Sequence, residues 1–111
     1  MAKIFRRVSP SVRLAARVSD RNEPLDRALA IREADVIWLD EFDRPWTRPE
    51  DVRRLKDAGK FVCAVSPDLH GFSLDASRRR WEDFLSWGVD GICTDYPVFL
   101  EKVLQGKGGR L

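Results

Sequence analysis

Residues 88–97 read GVDGICTDYP: a glycine, a short turn, an apolar run, then Thr94, Asp95, Tyr96 and Pro97 in direct succession. Gly88 stops a helical pattern in which Trp81, Phe84 and Leu85 share one side, and Pro97 suits the first turn of another helix. Residues 91–94 therefore read as a short strand between two helices. Asp95, just before Tyr96-Pro97, is placed to accept hydrogen bonds from the free N–H groups of the last helix, so a structural helix cap is its local explanation and catalysis the competing one.

Working back along the chain, residues 12–18 (VRLAARV), 36–39 (VIWL) and 61–65 (FVCAV) read as three further strands. Their starts are spaced by a strand plus a crossover helix, the rhythm of parallel βαβ units. Asn22-Glu23-Pro24 opens a helix carrying Leu25, Ala28 and Leu29. Thr47-Arg48-Pro49-Glu50 reads as a capping box with Thr47 as cap, followed by Val52, Leu55 and Ala58 on one face and Gly59 at the end. The last helix should bury part of Phe99, Leu100, Val103 and Leu104. The expectation is one α/β domain over 1–105 and a flexible, glycine-rich tail over 106–111. Four parallel strands fit a small open sheet or half of an eight-stranded barrel.

Composition narrows the function classes. The 111 residues hold 20 Lys plus Arg against 18 Asp plus Glu, a net charge of +2, which gives no bulk electrostatic grip on nucleic acid. Arg6-Arg7 and Arg78-Arg79-Arg80 are local runs, the second read as a solvated helix face. Trp38, Trp46, Trp81 and Trp87 are too scattered for a base-stacking platform. No apolar stretch approaches the ~20 residues of a membrane span, and the first residues lack a signal-peptide core, so a cytoplasmic location is expected. Cys63 and Cys93 lack metal-ligand spacing and read as reduced core thiols, so no metal site is expected within this chain.

In a parallel α/β fold the residues after each strand gather at one end of the sheet. They are Arg17, Ser19 and Asp20; Asp40, Glu41 and Asp43; Ser66, Asp68 and His70; Thr94 and Asp95. Arg17 shares a strand face with Ala15, and its guanidinium either holds a phosphate bidentately or pairs with a carboxylate such as Asp40. Asp40 and Glu41 point to opposite faces, so at most one meets a ligand. His70, the single histidine, contacts substrate, moves a proton or only bonds its loop. Ser66, His70 and Asp95 lack the glycine elbow of a nucleophilic triad. The candidate substrate-binding set is Arg17, Asp40 and His70.

GVDGICTDYP resembles the end of glycerophosphodiester phosphodiesterase domains, and residues 55–62 (LKDAGKFV) resemble the preceding unit. ARVSD (16–20), WLDEF (38–42) and VSPDLHG (65–71) are similar to a bacterial subgroup related to phosphatidylinositol phospholipase C. The likeness spans about 12–104. It implies the last four strands, the C-terminal half, of a TIM-barrel phosphoric diester hydrolase of lipid or glycerophosphodiester metabolism. It also implies that the family's His-Arg-Gly and Glu-x-Asp motifs, which hold a divalent cation (Ca²⁺ or Mg²⁺), belong to early strands not found here. The tryptophan that common members carry near the seventh strand is replaced by Ala64-Val65-Ser66. The chain alone should be inactive, and its expected partners are the missing N-terminal half-barrel or a second copy of itself, together with a small phosphodiester substrate. A non-catalytic phosphate-binding or scaffold subunit is the alternative.

Overall fold

Alternation decides which residues become strands and which side each strand buries. The computed structural model describes residues 14–108, with side chains to 106. Residues 12 and 13 of the expected first strand, and Arg6-Arg7, lie outside that range. The order is β1 (Leu14–Ser19), α1 (Leu25–Ala30), β2 (Ala34–Asp40), α2 (Pro49–Asp57), β3 (Phe61–Val65), a 3-10 turn (Pro67–His70), α3 (Leu74–Trp87), β4 (Gly91–Cys93) and α4 (Pro97–Gly108). α4 thus runs past Gln105, where the sequence reading ended it.

All strand pairs are parallel, and the sheet order is β1-β2-β3-β4, the order of the chain. Right-handed crossovers that always advance in one direction place every helix on the same face. A doubly wound sheet covers its second face only by reversing direction, and these four strands never reverse.

The two faces differ accordingly. Val18, Ile37, Leu39, Val62 and Ala64 are 0–1% exposed on the helix side, where they form the core with Ala28, Val52, Leu55, Trp81 and Phe84. The register aligns Ala15 with Val36 and Phe61 on the other face, and Arg17 with Trp38, Cys63 and Gly91. On that face Phe61 is 50% and Trp38 37% exposed, because no helix packs there among the described residues. Cys63 and Cys93, expected in the core, are free and half-buried on this uncovered side. Burial and the neighbouring Cys93 push the Cys63 thiol up.

Three local expectations shift for identifiable reasons. Pro49 forces the residue before it to be extended, so Arg48 (φ −123°, ψ 160°) is the N-cap of α2 and Thr47 lies outside it. The reciprocal bond is Arg48 N–H to Asp51 Oδ2 at 3.0 Å, in place of the expected Thr47–Glu50 box. Ala58 sits at the C-cap and is exposed. α4 buries Leu100 alone, with Val103 half-buried and Phe99 and Leu104 left open.

α3 follows its sequence signals closely. Ser73 Oγ accepts the Ala76 N–H at 3.1 Å at the start, and Gly88 ends the helix at φ 87°. At the opposite end of the sheet from the polar loops, Lys60 donates to the Ala34 carbonyl at 2.6 Å. Asp90 accepts from the Val62 N–H at 2.8 Å and from Lys56 at 2.5 Å, tying the entry of β4 to β3. No helix among the described residues is long and apolar enough to cross a membrane.

Trp81 is fully buried, so Trp81→Ala should lower stability by about 3–5 kcal/mol. Val98→Ala, at a 62% exposed site, should change it by less than about 0.5 kcal/mol. Urea denaturation of both variants checks the contrast.

Candidate functional site

The ends of the strands deliver their polar residues to one rim, but most of those residues are spent on holding neighbouring loops. After β1, the chain reverses through Asn22 (φ 62°), and an antiparallel bridge joins Ser19 to Glu23. Asp20 reaches to the loop after β2 and accepts the N–H groups of Phe42, Asp43 and Arg44 at 3.0, 2.8 and 3.1 Å. Burial alone would raise its pKa, but these N–H groups outweigh it and lower it.

After β3, Asp68 plays the same part toward β4. It receives the Ser66 hydroxyl, the Thr94 hydroxyl at 2.8 Å and the Asp95 N–H at 3.0 Å. These donors overcome the upward push of burial, so its pKa too is lowered. Ser66 is fully buried and also accepts the Trp81 indole N–H at 2.8 Å. With its oxygen enclosed in this way, Ser66 is a structural link and forms no triad with His70 and Asp95.

The expected cap at Asp95 is corrected. Among the described residues its carboxylate receives no hydrogen bond, while Thr94 Oγ1 accepts the Tyr96 N–H at 3.0 Å and Asp68 takes the Asp95 N–H. The side chain one position earlier faces back toward the turn, and Asp95 is left exposed.

Asp40 and Glu41 diverge. Glu41 turns outward to Arg80, which donates from Nε at 2.9 Å and from a terminal nitrogen at 2.5 Å, and Glu41 also accepts the Thr47 N–H at 2.9 Å. Arg80 is therefore no part of a solvated face, unlike the exposed Arg78 and Arg79. Its guanidinium also lies 5.0 Å from the ring centres of Phe84 and Trp87. Burial would disfavour its charge, but Glu41 and Asp83 more than offset this and raise its pKa.

Asp40 points to the uncovered face, and there the three candidate residues meet. His70 Nε2 stands 2.5 Å from Asp40 Oδ1, and an Arg17 terminal nitrogen stands 3.9 Å from Oδ2. The His70 ring packs on Phe42 at 4.4 Å between centres, and the Arg17 guanidinium lies 5.0 Å over the same ring. Arg17, Asp40 and His70 border a cleft of about 380 Å³ floored by Ala15, Trp38 and Val65 and walled by Leu69.

Glu23 is the residue that sequence reasoning passed over. It accepts Arg17 Nε at 2.7 Å and the Ser19 hydroxyl at 2.7 Å. The Ser19 bond lowers its pKa against the effect of burial, and Arg17 lowers it further. Asn22, a residue that tolerates the left-handed region, was the available signal that the chain doubles back here. Arg17 consequently pairs first with Glu23, and His70 takes Asp40 Oδ1, while Asp40 Oδ2 has only the Arg17 terminal nitrogen nearby, at 3.9 Å.

The divalent cation implied by the family resemblance has no fitting donor set at this rim. Asp20, Glu23, Asp40 and Asp68 are each committed to N–H, hydroxyl, guanidinium or imidazole partners, and no cluster of three acidic, histidine or cysteine ligands occurs among the described residues. Compared with models of protein families, with curated proteins and with solved structures, the chain finds no match.

Asp68 also sets a pH dependence. Its folded pKa lies below the roughly 3.9 of a free aspartate, so its contribution to stability is complete above about pH 4 and is lost as pH falls through the folded value. Asp68→Asn should be less stable near neutrality, and its stability should fall less steeply in acid. Urea midpoints of both proteins at about pH 7 and pH 3 measure this.

Proposed function

We propose that the chain forms the late half of a barrel phosphodiesterase acting on glycerophosphodiester-like substrates, with Arg17 and His70 contacting the phosphate or its head group. The observation that carries this reading is the one-sided sheet. Among the described residues, four parallel strands in chain order leave a bare face and two open edges, β1 and β4, and Arg17 and His70 stand at the C-terminal rim of that face. In a closed barrel this face becomes the interior and this rim the site mouth.

In that assembly the complementary half supplies the cation ligands and the acid/base groups. This chain supplies orientation: a guanidinium with unspent terminal N–H groups, a histidine held by Asp40, and an apolar floor that sheds water when the site closes.

Coexpression with an early half carrying the His-Arg-Gly and Glu-x-Asp motifs tests the reading. Hydrolysis of glycerophosphocholine in the presence of Mg²⁺ or Ca²⁺ should occur only with both halves present. Arg17→Ala should reduce it about a hundredfold, the usual order for a lost oxyanion contact. Metal-dependent turnover by the purified chain alone would overturn the proposal.

The exposed Trp38 and Phe61 on the bare face favour a second reading, a scaffold subunit that closes a pseudo-barrel with another copy of itself. Light scattering should then give a defined dimer, and a stable soluble monomer counts against it.

A further inference from the structure

We infer that entry of a phosphodiester anion into this rim is coupled to proton uptake at His70, a property that rests on the reading above of what the rim receives. The imidazole is fixed at one nitrogen and open at the other. Nε2 is 2.5 Å from Asp40 Oδ1, so its proton is committed to that carboxylate. Nδ1 has no hydrogen-bond partner among the described residues, and the side chain is 20% exposed. A ring protonated only at Nε2 offers an anion the Nδ1 lone pair, whereas the imidazolium offers an N–H.

The surrounding charges favour the same coupling. Asp40 faces His70 from β2 and Arg17 approaches from β1, with Glu23 directly behind Arg17. Arg21 and Asp43 pair with each other beyond Phe42, at 3.1 Å, and Asp20 is occupied by three backbone N–H groups. On the 3-10 turn itself, Asp68 faces Ser66 and Thr94. With a neutral ring, the carboxylates of Asp40 and Glu23 outweigh the guanidinium of Arg17 and repel an anion. A proton on His70 brings this inner group into balance and creates the missing donor.

Arg17 supplies the second contact. Its Nε is spent on Glu23, but its two terminal nitrogens carry no hydrogen bond among the described residues and open onto the cleft shared with His70. The bound state is then one phosphodiester monoanion, one added proton on His70 and the Arg17 fork, with Asp40 holding the imidazolium in place.

The single histidine makes the test direct, because its ring C–H signals in the untagged chain are unique. They would be followed by NMR from about pH 5 to 8.5 with and without dimethyl phosphate, a monoanion throughout, at ionic strength matched with chloride. The titration midpoint should rise by about half a unit or more near saturation, and affinity should fall by the matching factor, about threefold for half a unit, as pH rises from the free to the bound midpoint. His70→Gln, checked for folding by circular dichroism, should abolish the pH dependence of binding, and Arg17→Gln should weaken binding while leaving the pH dependence. Ligand-induced shifts at Trp38 with an unmoved histidine midpoint would overturn the coupling and leave the phosphodiester reading intact. Absence of any perturbation across the pH range would overturn both.

Discussion

The constraint on which the rest of this structure depends is the direction in which its strands are laid down. Each crossover is bound to one hand by strand twist, so a sheet that only advances has all its helices on one side. The apolar residues at alternate positions of β1, β2 and β3 are then divided between a face that the helices largely bury and a face that they do not. Val18, Leu39 and Ala64 are buried to within a few per cent, while Arg17, Trp38 and Cys63, one residue earlier on the same strands, are half-buried or exposed. Among the described residues the uncovered face is thus a consequence of topology, apolar in its middle and polar at its rim.

The rim itself follows a second regularity. An acid after one strand reaches across to the loop after the next: Asp20 to the N–H groups following β2, Asp40 to His70 following β3, and Asp68 to Thr94 and Asp95 following β4. Consecutive βα loops are stapled in chain order, which gives the loops fixed positions without a hydrophobic core of their own. Carboxylates that look catalytic in the sequence are mostly consumed in this work. The depressed pKa values of Asp20 and Asp68 report that the charged form is what the neighbouring donors hold.

The parallel βα rhythm was legible because it rests on short-range signals: apolar runs of strand length, Gly59 and Gly88 as helix stops, and prolines at helix starts. The convergence of Arg17, Asp40 and His70 was legible for a topological reason, since strand C-termini in a parallel sheet share an edge. Their partners were not. Glu23 and Arg80 act through contacts across a reversed loop and between elements 39 residues apart, which no local pattern encodes. The Thr47 cap failed because the dihedral restriction imposed by Pro49 outranks residue preference, and Asp95 failed because Thr94 and Asp68 are closer to the free N–H groups.

What remains unspent defines the chemistry open to this rim. Once the stapling bonds are made, the groups among the described residues that border the cleft with free hydrogen-bonding capacity include the terminal nitrogens of Arg17, Nδ1 of His70, the Trp38 indole N–H and Asp40 Oδ2. A guanidinium and an imidazole at the mouth of a cleft floored by Ala15, Trp38 and Val65 can recognise and orient an anion. In the proposed coupling, a proton on His70 turns Nδ1 into a donor and offsets the carboxylates of Asp40 and Glu23. Under that proposal the carboxylate that positions the imidazole also sets the charge against which an anion must enter, so the bond that fixes the ring ties anion binding to proton uptake.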